Sequence, residues 1–402
     1  MRPFRASGTS HEASVIRRQY LHSFVAAACI GPFLSYVLAD LGWSPRDIGY
    51  ATAVLTASAV ASAPLWGWID DARSNGAARL SLVATAIAAL TVAAAVAGTG
   101  RGPALAAIAL LGACSGSLEP LLTARALRNA STASGLGAVR SLGSVGWILG
   151  LGVGGLLLTV ANQQPALIFL LAGAAALSAP VLRAPEVSSA HVANADLRTA
   201  EGPPPSDART PQRGGLPVRA VLGVLSMTFP VPLCMAGLVF FTAGWAHSSL
   251  GAGPLLAVGP LALSAALELP AFLLVDRLGK RVSSTWLCGA AFVPLALATV
   301  LLALFPGKVT IFAVQPLVAA SFALWFVGHS RLMSERVSRR QLASALTLLS
   351  TLGRGIAGPI AGMAGGALAA VAGYPMLFLA MSILCVLGLV RVALAALWAP
   401  AA

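Results

Sequence analysis

Charged side chains are scarce in this sequence of 402 residues, where they make up only 10% of the chain. Soluble proteins carry roughly 25% charged residues. Apolar residues here reach 57%, which is more apolar surface than a soluble fold of this length could bury. The scarcity of charge therefore excludes a chain of two or three soluble domains and indicates a protein that lies in a lipid bilayer.

Cysteine is also rare, and the sequence lacks the motifs of metal-dependent and nucleotide-dependent proteins. The five cysteines occur singly within apolar segments, without the spacing of metal ligands or redox pairs. No glycine-rich loop ends in lysine followed by threonine or serine, so ATP-driven pumping is not expected. Asp70 and Asp71 form the only acidic doublet, which leaves a membrane-embedded transferase as a remote alternative. We expect neither a metal nor a cofactor.

Twelve apolar stretches are long enough to cross a bilayer, which takes about 20 residues of helix. The sequence therefore predicts an all-α membrane protein of twelve transmembrane spans. Six spans precede a long polar segment and six follow it. Their ranges are 19–38, 48–69, 80–97, 104–122, 136–160 and 166–182, then 218–245, 255–275, 284–304, 311–328, 342–371 and 376–398.

Basic residues predict the orientation of these spans. With the amino terminus in the cytoplasm, 20 lysine and arginine residues lie in or directly beside cytoplasmic segments, and 3 lie in external loops. Cytoplasmic loops carry such an excess in membrane proteins, so both termini are expected to be cytoplasmic. The same distribution explains the net charge of +13 without binding of nucleic acid, which would require a basic patch on a soluble face.

The polar segment 183–217 divides the chain into two bundles. It contains three consecutive prolines and several serine, aspartate and arginine residues, a composition that cannot bury enough apolar area to fold alone. We expect an amino-terminal six-helix bundle at 1–182, a flexible cytoplasmic linker at 183–217, and a carboxy-terminal six-helix bundle at 218–402.

Twelve spans in a six-plus-six arrangement, with a charged loop after the second span of each half, resemble the major facilitator superfamily. The segment DRLGKR at 276–281 is similar to the cytoplasmic signature of that superfamily. Its counterpart GWIDDAR at 67–73 keeps the glycine, acid and base but not the spacing of the second glycine. The resemblance implies gating roles for Asp70, Asp71, Arg73, Asp276 and Arg277.

A second resemblance lies in the fifth span, where VRSLGSVGW at 139–147 is similar to lactose permease and the related phenylpropionate transporters. The resemblance implies that Arg140 and Trp147 contact the substrate and that Glu119, late in the fourth span, pairs with Arg140. The segment LELP at 267–270 also resembles sugar-efflux transporters. The tenth span lacks the histidine and glutamate that lactose permease uses for proton coupling.

Charged side chains inside spans are costly and mark functional sites in most membrane proteins. Besides Glu119 and Arg140, the candidates are Glu268 in the eighth span and Arg354 in the eleventh. Glu119 or Glu268 is expected to carry a proton, and Arg354 either faces Glu268 or binds an anionic substrate group. His22 and His329 lie nearer the cytoplasmic ends and titrate in a useful range, although both could simply be interfacial.

The sequence thus favours a secondary transporter of a bacterial inner membrane that works by rocking one half against the other. The resemblance implies a sugar-like, glycoside or aromatic substrate and coupling to protons. Export of a natural product or antibiotic is the alternative, because the composition is typical of a high-GC bacterium. We expect a monomer that interacts with its small-molecule substrate, protons and the lipid bilayer.

Overall fold

Fourteen α-helices build the described part of the computed structural model, which covers residues 7–72, 76–98, 100–119, 121–122, 134–161, 164–181, 218–279, 281–337 and 339–397. In the first half they are α1 Ser7–Asp40, α2 Pro45–Ala72, α3 Gly76–Val96, α4 Arg101–Ser115, α5 Ser134–Val160 and α6 Ala166–Val181. In the second half they are α7 Val218–Thr228, α8 Pro230–Leu250, α9 Pro254–Gly279, α10 Ser284–Ala290, α11 Phe292–Leu304, α12 Lys308–Ala313, α13 Gln315–Arg336 and α14 Arg339–Leu397.

The helices confirm the predicted all-α fold of twelve spans. Spans 1 to 6 correspond to α1 to α6, and span 8 to α9. Three other spans are each made of two consecutive helices, namely span 7 of α7 and α8, span 9 of α10 and α11, and span 10 of α12 and α13. The remaining helix, α14, contains spans 11 and 12, which are separated at Gly373, where φ is 82° and ψ 166°.

Length and hydropathy identify most of these spans independently of the fold. Among the described residues, nine helical segments are long and apolar enough to cross a membrane, and the longest of them, Thr351–Leu394, includes spans 11 and 12. Three shorter apolar helices complete the set: Arg101–Ser115, Ala166–Ser178 and Val218–Thr228. The last of these continues directly into α8, so only spans 4 and 6 are short.

Helix α1 lies at the centre of the packing, where it contacts α5 and α6 of its own half and α8 of the other half. Its side chains Phe33, Leu34 and Val37 are fully buried and belong to one apolar core that also includes Phe241 and Trp245 of α8. A side chain between two helices is shielded from lipid as well as water, so its packing against neighbours supplies the attraction.

The helices run between two ends of the bundle. The terminal face is the end at which α1 begins and α2, α4 and α9 end. The opposite face is the end at which α1 and α8 end and α2 and α9 begin. The segment 183–217, predicted to be a flexible linker, lies outside the described residues. The division into two bundles therefore stays a prediction, based on the helices before and after this segment.

Glycines let the two halves meet closely toward the opposite face. A Cβ atom at Gly49 of α2 would lie 2.3 Å from the carbonyl oxygen of Gly362 and 2.8 Å from Cα of Gly366, both on α14. Real Cβ atoms essentially never approach so closely. These backbones therefore touch only because all three residues are glycine.

Two further contacts between the halves lie toward the same face. A Cβ atom at Gly155 of α5 would lie 3.1 Å from Leu255 of α9, and one at Gly244 of α8 would lie 2.9 Å from the carbonyl oxygen of Ser35 of α1. Three pairs of helices, each made of one helix from either half, are thus packed without space between them at this depth.

Candidate functional site

A cavity of about 330 Å³ lies between the first, second, third, fourth, fifth and seventh spans. Its lining includes Ser23 and Gly31 of α1, Thr56 of α2, Thr85 of α3 and Phe240 of α8. These residues lie on the terminal side of the glycine contacts between the halves. The cavity is therefore separated from the opposite face by tightly packed helices.

A break in the fourth span brings Glu119 into this cavity. Helix α4 ends at Ser115, a turn follows at Gly116 and Ser117, and the chain is helical again at 118–119. Glu119 is half-buried there and lines the cavity. The turn that precedes Glu119 was not predicted from the sequence.

The carbonyl groups left by this break are satisfied by side chains of neighbouring spans. Ser62 Oγ and Trp66 Nε1 of α2 donate hydrogen bonds to the carbonyl oxygen of Ala113 at 2.8 and 2.7 Å. Ser81 Oγ of α3 donates to the carbonyl oxygen of Cys114 at 2.6 Å. An interrupted helix is tolerated inside a membrane only where protein satisfies the freed backbone groups, as these three hydrogen bonds do.

Trp147 reaches the same cavity from the fifth span. Helix α5 packs closely on α1, because a Cβ atom at Gly146 would lie 2.4 Å from the carbonyl oxygen of Leu21, and one at Gly150 would lie 2.7 Å from Cβ of Ala28. The glycines around Trp147 therefore allow α5 to pack directly on the central helix α1. The half-buried ring of Trp147 borders the cavity.

The other predicted site residues are described only in part. Arg140 lies on α5 and Arg354 on α14, but their side chains lie outside the described set, so their predicted pairings stay predictions. Glu268 is a half-buried residue of α9. The described lining of the cavity includes Glu119 and Trp147 but not Glu268.

The predicted gating loops lie at the terminal face. Asp70 and Asp71 belong to the last turn of α2, with side chains outside the described set, and Arg73 lies outside the described residues altogether. Asp276 and Arg277 are exposed at the end of α9.

The second of these loops is tied to span 10 by other residues. The guanidinium of Arg331 donates a hydrogen bond to the carbonyl oxygen of Gly279. Ser284 Oγ donates one to Glu335 Oε1 at 2.5 Å. The described links of this loop to span 10 thus come from residues that the sequence did not single out.

Both histidines considered from the sequence take part in packing contacts. His22 Nδ1 and Ser178 Oγ of α6 share a hydrogen bond of 2.6 Å. His329 Nδ1 lies 2.7 Å from the carbonyl oxygen of Trp325, and the two rings stack with centroids 4.3 Å apart. The first contact joins α1 to α6, whereas the second lies within α13.

A polar link between the halves at the opposite face was not predicted. His247 Nε2, near the end of α8, lies 3.1 Å from Asp40 Oδ1, at the end of α1, and the imidazole packs against the ring of Tyr36 at 4.5 Å between centroids. The pair is partly buried, with 21% and 26% of the two side chains exposed. Its only signal in the sequence is that an acid and a histidine end the first spans of the two halves.

Within the described residues, no three histidine, cysteine, aspartate or glutamate side chains lie together as ligands for a metal ion.

Comparison with known proteins decides the family. Residues 15–398 match the MFS_1 like family, which is nearly the whole chain. The chain belongs to the MFS_1-like family. No curated protein sequence matches it.

Solved transporter structures share the fold of this MFS_1-like protein. A bacterial homologue of the human lysosomal transporter Spinster, in an inward-facing and unoccupied conformation, has a TM-score of 0.77 and 15% identity over 99% of this chain and 100% of that chain. The nucleoside transporter NupG has a TM-score of 0.73 and 14% identity over 95% and 98%. A POT family transporter crystallised with a thioalcohol-conjugated peptide has a TM-score of 0.73 and 12% identity over 96% of each chain.

The resemblance to the major facilitator superfamily is thereby confirmed. The protein is a multi-pass membrane protein and a transporter rather than an enzyme.

Proposed function

We propose that this MFS_1-like protein is a proton-coupled secondary transporter that moves a small aromatic or sugar-like solute across a bacterial inner membrane by alternating access. One observation carries the proposal. Glu119 and Trp147, which the sequence singled out on different spans for proton coupling and substrate contact, line the same cavity. Substrate sites of such transporters lie between the two halves near the middle of the membrane.

The packing between the halves supports alternating access. The contacts of Gly49, Gly155 and Gly244 close the opposite face above the cavity. With both termini in the cytoplasm, as the basic residues predict, we propose that this arrangement is the state whose cavity faces the cytoplasm. Transport then requires these three helix pairs to separate.

The remaining predicted residues take supporting roles in the proposal. Arg140 precedes Trp147 by two helical turns, about 10 Å along the axis, so it lies on the same side of α5 and nearer the terminal face. There it pairs with Glu119, because an unpaired charge at that depth is costly. Glu268 and Arg354 serve as the second proton carrier and its partner in the other half.

Export of a natural product or antibiotic is the second candidate. The walls of the cavity favour it in one respect, since they are largely aliphatic and aromatic, with Phe24, Ile30, Leu55 and Phe240 among the lining residues. Such a wall suits a compound with an apolar body.

Reconstituted vesicles test the proposal. Purified protein in proteoliposomes is screened against sugars, nucleosides, aromatic acids, amines and antibiotics, with and without a pH gradient. We expect at least one solute to accumulate against its gradient only when protons flow. If no solute of the panel moves faster than in protein-free vesicles, the proposed function is wrong.

A further inference from the structure

Three of the four hydroxyl groups on the described lining residues already donate their protons to backbone carbonyl groups. Ser23 Oγ donates to the carbonyl oxygen of Tyr20 at 2.8 Å, and Thr56 Oγ1 donates to that of Thr52 at 2.8 Å. Ser115 Oγ donates to the carbonyl oxygen of Leu111 at 2.7 Å. A hydroxyl has one proton and two lone pairs, so each of these groups offers the cavity a hydrogen-bond acceptor.

One lining hydroxyl is unpaired. Thr85 Oγ1 is fully buried on α3 and has no hydrogen-bond partner. A buried polar group without a partner costs free energy, and Thr85 is one of the residues that line the cavity. An occupant of the cavity that forms a hydrogen bond with Thr85 removes that cost.

The remaining polar and aromatic groups of the lining also favour a positively charged hydrogen-bond donor. An ionised Glu119 accepts hydrogen bonds and donates none. Phe24, Trp147 and Phe240 border the same space, and the faces of aromatic rings attract cations. Among the described lining residues, the donors are the indole N–H of Trp147 and the Thr85 hydroxyl.

We infer that the substrate of this cavity is a small organic amine, bound as its ammonium ion with an aromatic body. An ammonium group brings several donors and no acceptor, which complements a wall of acceptors. A carboxylate brings acceptors only and would face lone pairs across most of the lining. The volume of about 330 Å³ is at the small end of ligand pockets and suits a single-ring compound.

The inference rests on the proposed transport function and narrows its substrate. Arg140 supplies the competing expectation, because a guanidinium inside the cavity would favour an anion. The two expectations differ in which member of a matched series binds best: 2-phenylethylamine, 2-phenylethanol and 3-phenylpropanoate. Glucose represents the sugar-like alternative.

Binding of these four probes to purified protein in nanodiscs, measured by calorimetry, tests the inference. We expect 2-phenylethylamine to bind at least tenfold more tightly than the alcohol, with the carboxylate and glucose weaker still. Tighter binding of the carboxylate or glucose than of the amine overturns the inference, as does absence of binding by all four. If the carboxylate or glucose is also transported in proteoliposomes, the substrate class is wrong and the transporter proposal stands.

A pair of matched variants assigns the effect to the cavity. Thr56→Val removes a lining acceptor while keeping the shape of the side chain. Thr299→Val makes the same exchange at a buried threonine of span 9, outside the cavity. Its Oγ1 donates to the carbonyl oxygen of Leu295 at 2.9 Å. We expect Thr56→Val to weaken amine binding about three- to tenfold, as the loss of one hydrogen bond to a charged donor does, and the alcohol less.

Thr299→Val is expected to bind the amine like the wild type. Equal losses in both variants, or a loss in neither, would contradict the assignment of the amine to this wall. Thermal unfolding of each variant shows that the comparison is made between folded proteins.

Discussion

The carboxylate of Glu119 combines a fixed backbone position with access to a cavity. It follows a break in the fourth span whose carbonyl groups are held by Ser62, Trp66 and Ser81, and it borders a cavity that contains an unpaired hydroxyl. The surrounding hydrogen bonds fix the position of the backbone, so the side chain can change its partner without unfolding the helix. That is the requirement for a proton carrier.

Glu119→Gln is therefore expected to uncouple transport. The amide cannot release a proton, so accumulation driven by a pH gradient should fall on the order of tenfold or more, whereas exchange of labelled for unlabelled substrate at equal concentrations should persist. Glu268→Gln provides the comparison in the other half. If both variants accumulate substrate at the wild-type rate, neither carboxylate carries the coupling proton.

The Asp40–His247 pair is expected to stabilise the closed face. The two side chains join α1 to α8 at 3.1 Å and are only partly exposed, so Asp40→Asn should favour opening. Ser35→Cys, introduced between α1 and α8 in a chain whose native cysteines are replaced, reports opening through its reaction with an impermeant maleimide. Asp40→Asn should speed this labelling by roughly two- to fivefold, as the loss of a partly exposed pair does.

The control for this prediction is Asp47→Asn. The ion pair between Asp47 and Arg101, at 3.2 Å, joins two spans of the same half, so its loss should leave the labelling of the Ser35→Cys thiol unchanged. Equal labelling rates with aspartate and with asparagine at position 40 would show that the pair does not control opening.

Among the elements, α2 and α14 form a close interface between the halves, which the proposed transport cycle has to separate. Gly49→Ala would place a methyl group on the backbone of α14, and overpacking of this kind costs roughly 1–3 kcal/mol. The cost falls on the closed arrangement alone, so we expect faster labelling of the Ser35→Cys thiol and a shift toward the state open at the opposite face.

Gly67→Ala is the matched control on the same helix, since a Cβ atom there meets no neighbour within 4 Å. It should leave labelling unchanged. Slower labelling with Gly49→Ala than with Gly67→Ala would mean that the interface tightens on substitution, contrary to the packing described.

The elements also show how far sequence reasoning reaches. The twelve spans were predicted from apolar length alone, because the bilayer imposes that length on every helix. The turn at Gly116 and Ser117 was not predicted, since the side chains that stabilise it lie on α2 and α3, distant in sequence. Glu119 was singled out as a charged residue in an apolar run and by resemblance, and Trp147 by the resemblance of its segment to lactose permease. Thr85 and Ser115 were missed because hydroxyl residues inside spans are common, and only packing shows which of them face a cavity.

At the scale of the whole molecule, orientation follows from the basic residues. Reporter fusions at Ser206, within the predicted linker, and at Gly251, in the turn between α8 and α9, should report opposite sides of the membrane, with Ser206 in the cytoplasm. Alkaline phosphatase and a fluorescent protein are suitable reporters, since each is active on one side only. Activity of the phosphatase at Ser206 would reverse the proposed direction of the cavity.

The turn at Gly373 has a consequence for biogenesis. Spans 11 and 12 are joined with almost no connecting chain, because the direction reverses at one residue of positive φ followed two positions later by Pro375. When span 11 leaves a ribosome-bound translocation channel for the lipid, no connecting loop remains in the channel while span 12 emerges. We therefore expect spans 11 and 12 to enter the membrane together as a hairpin.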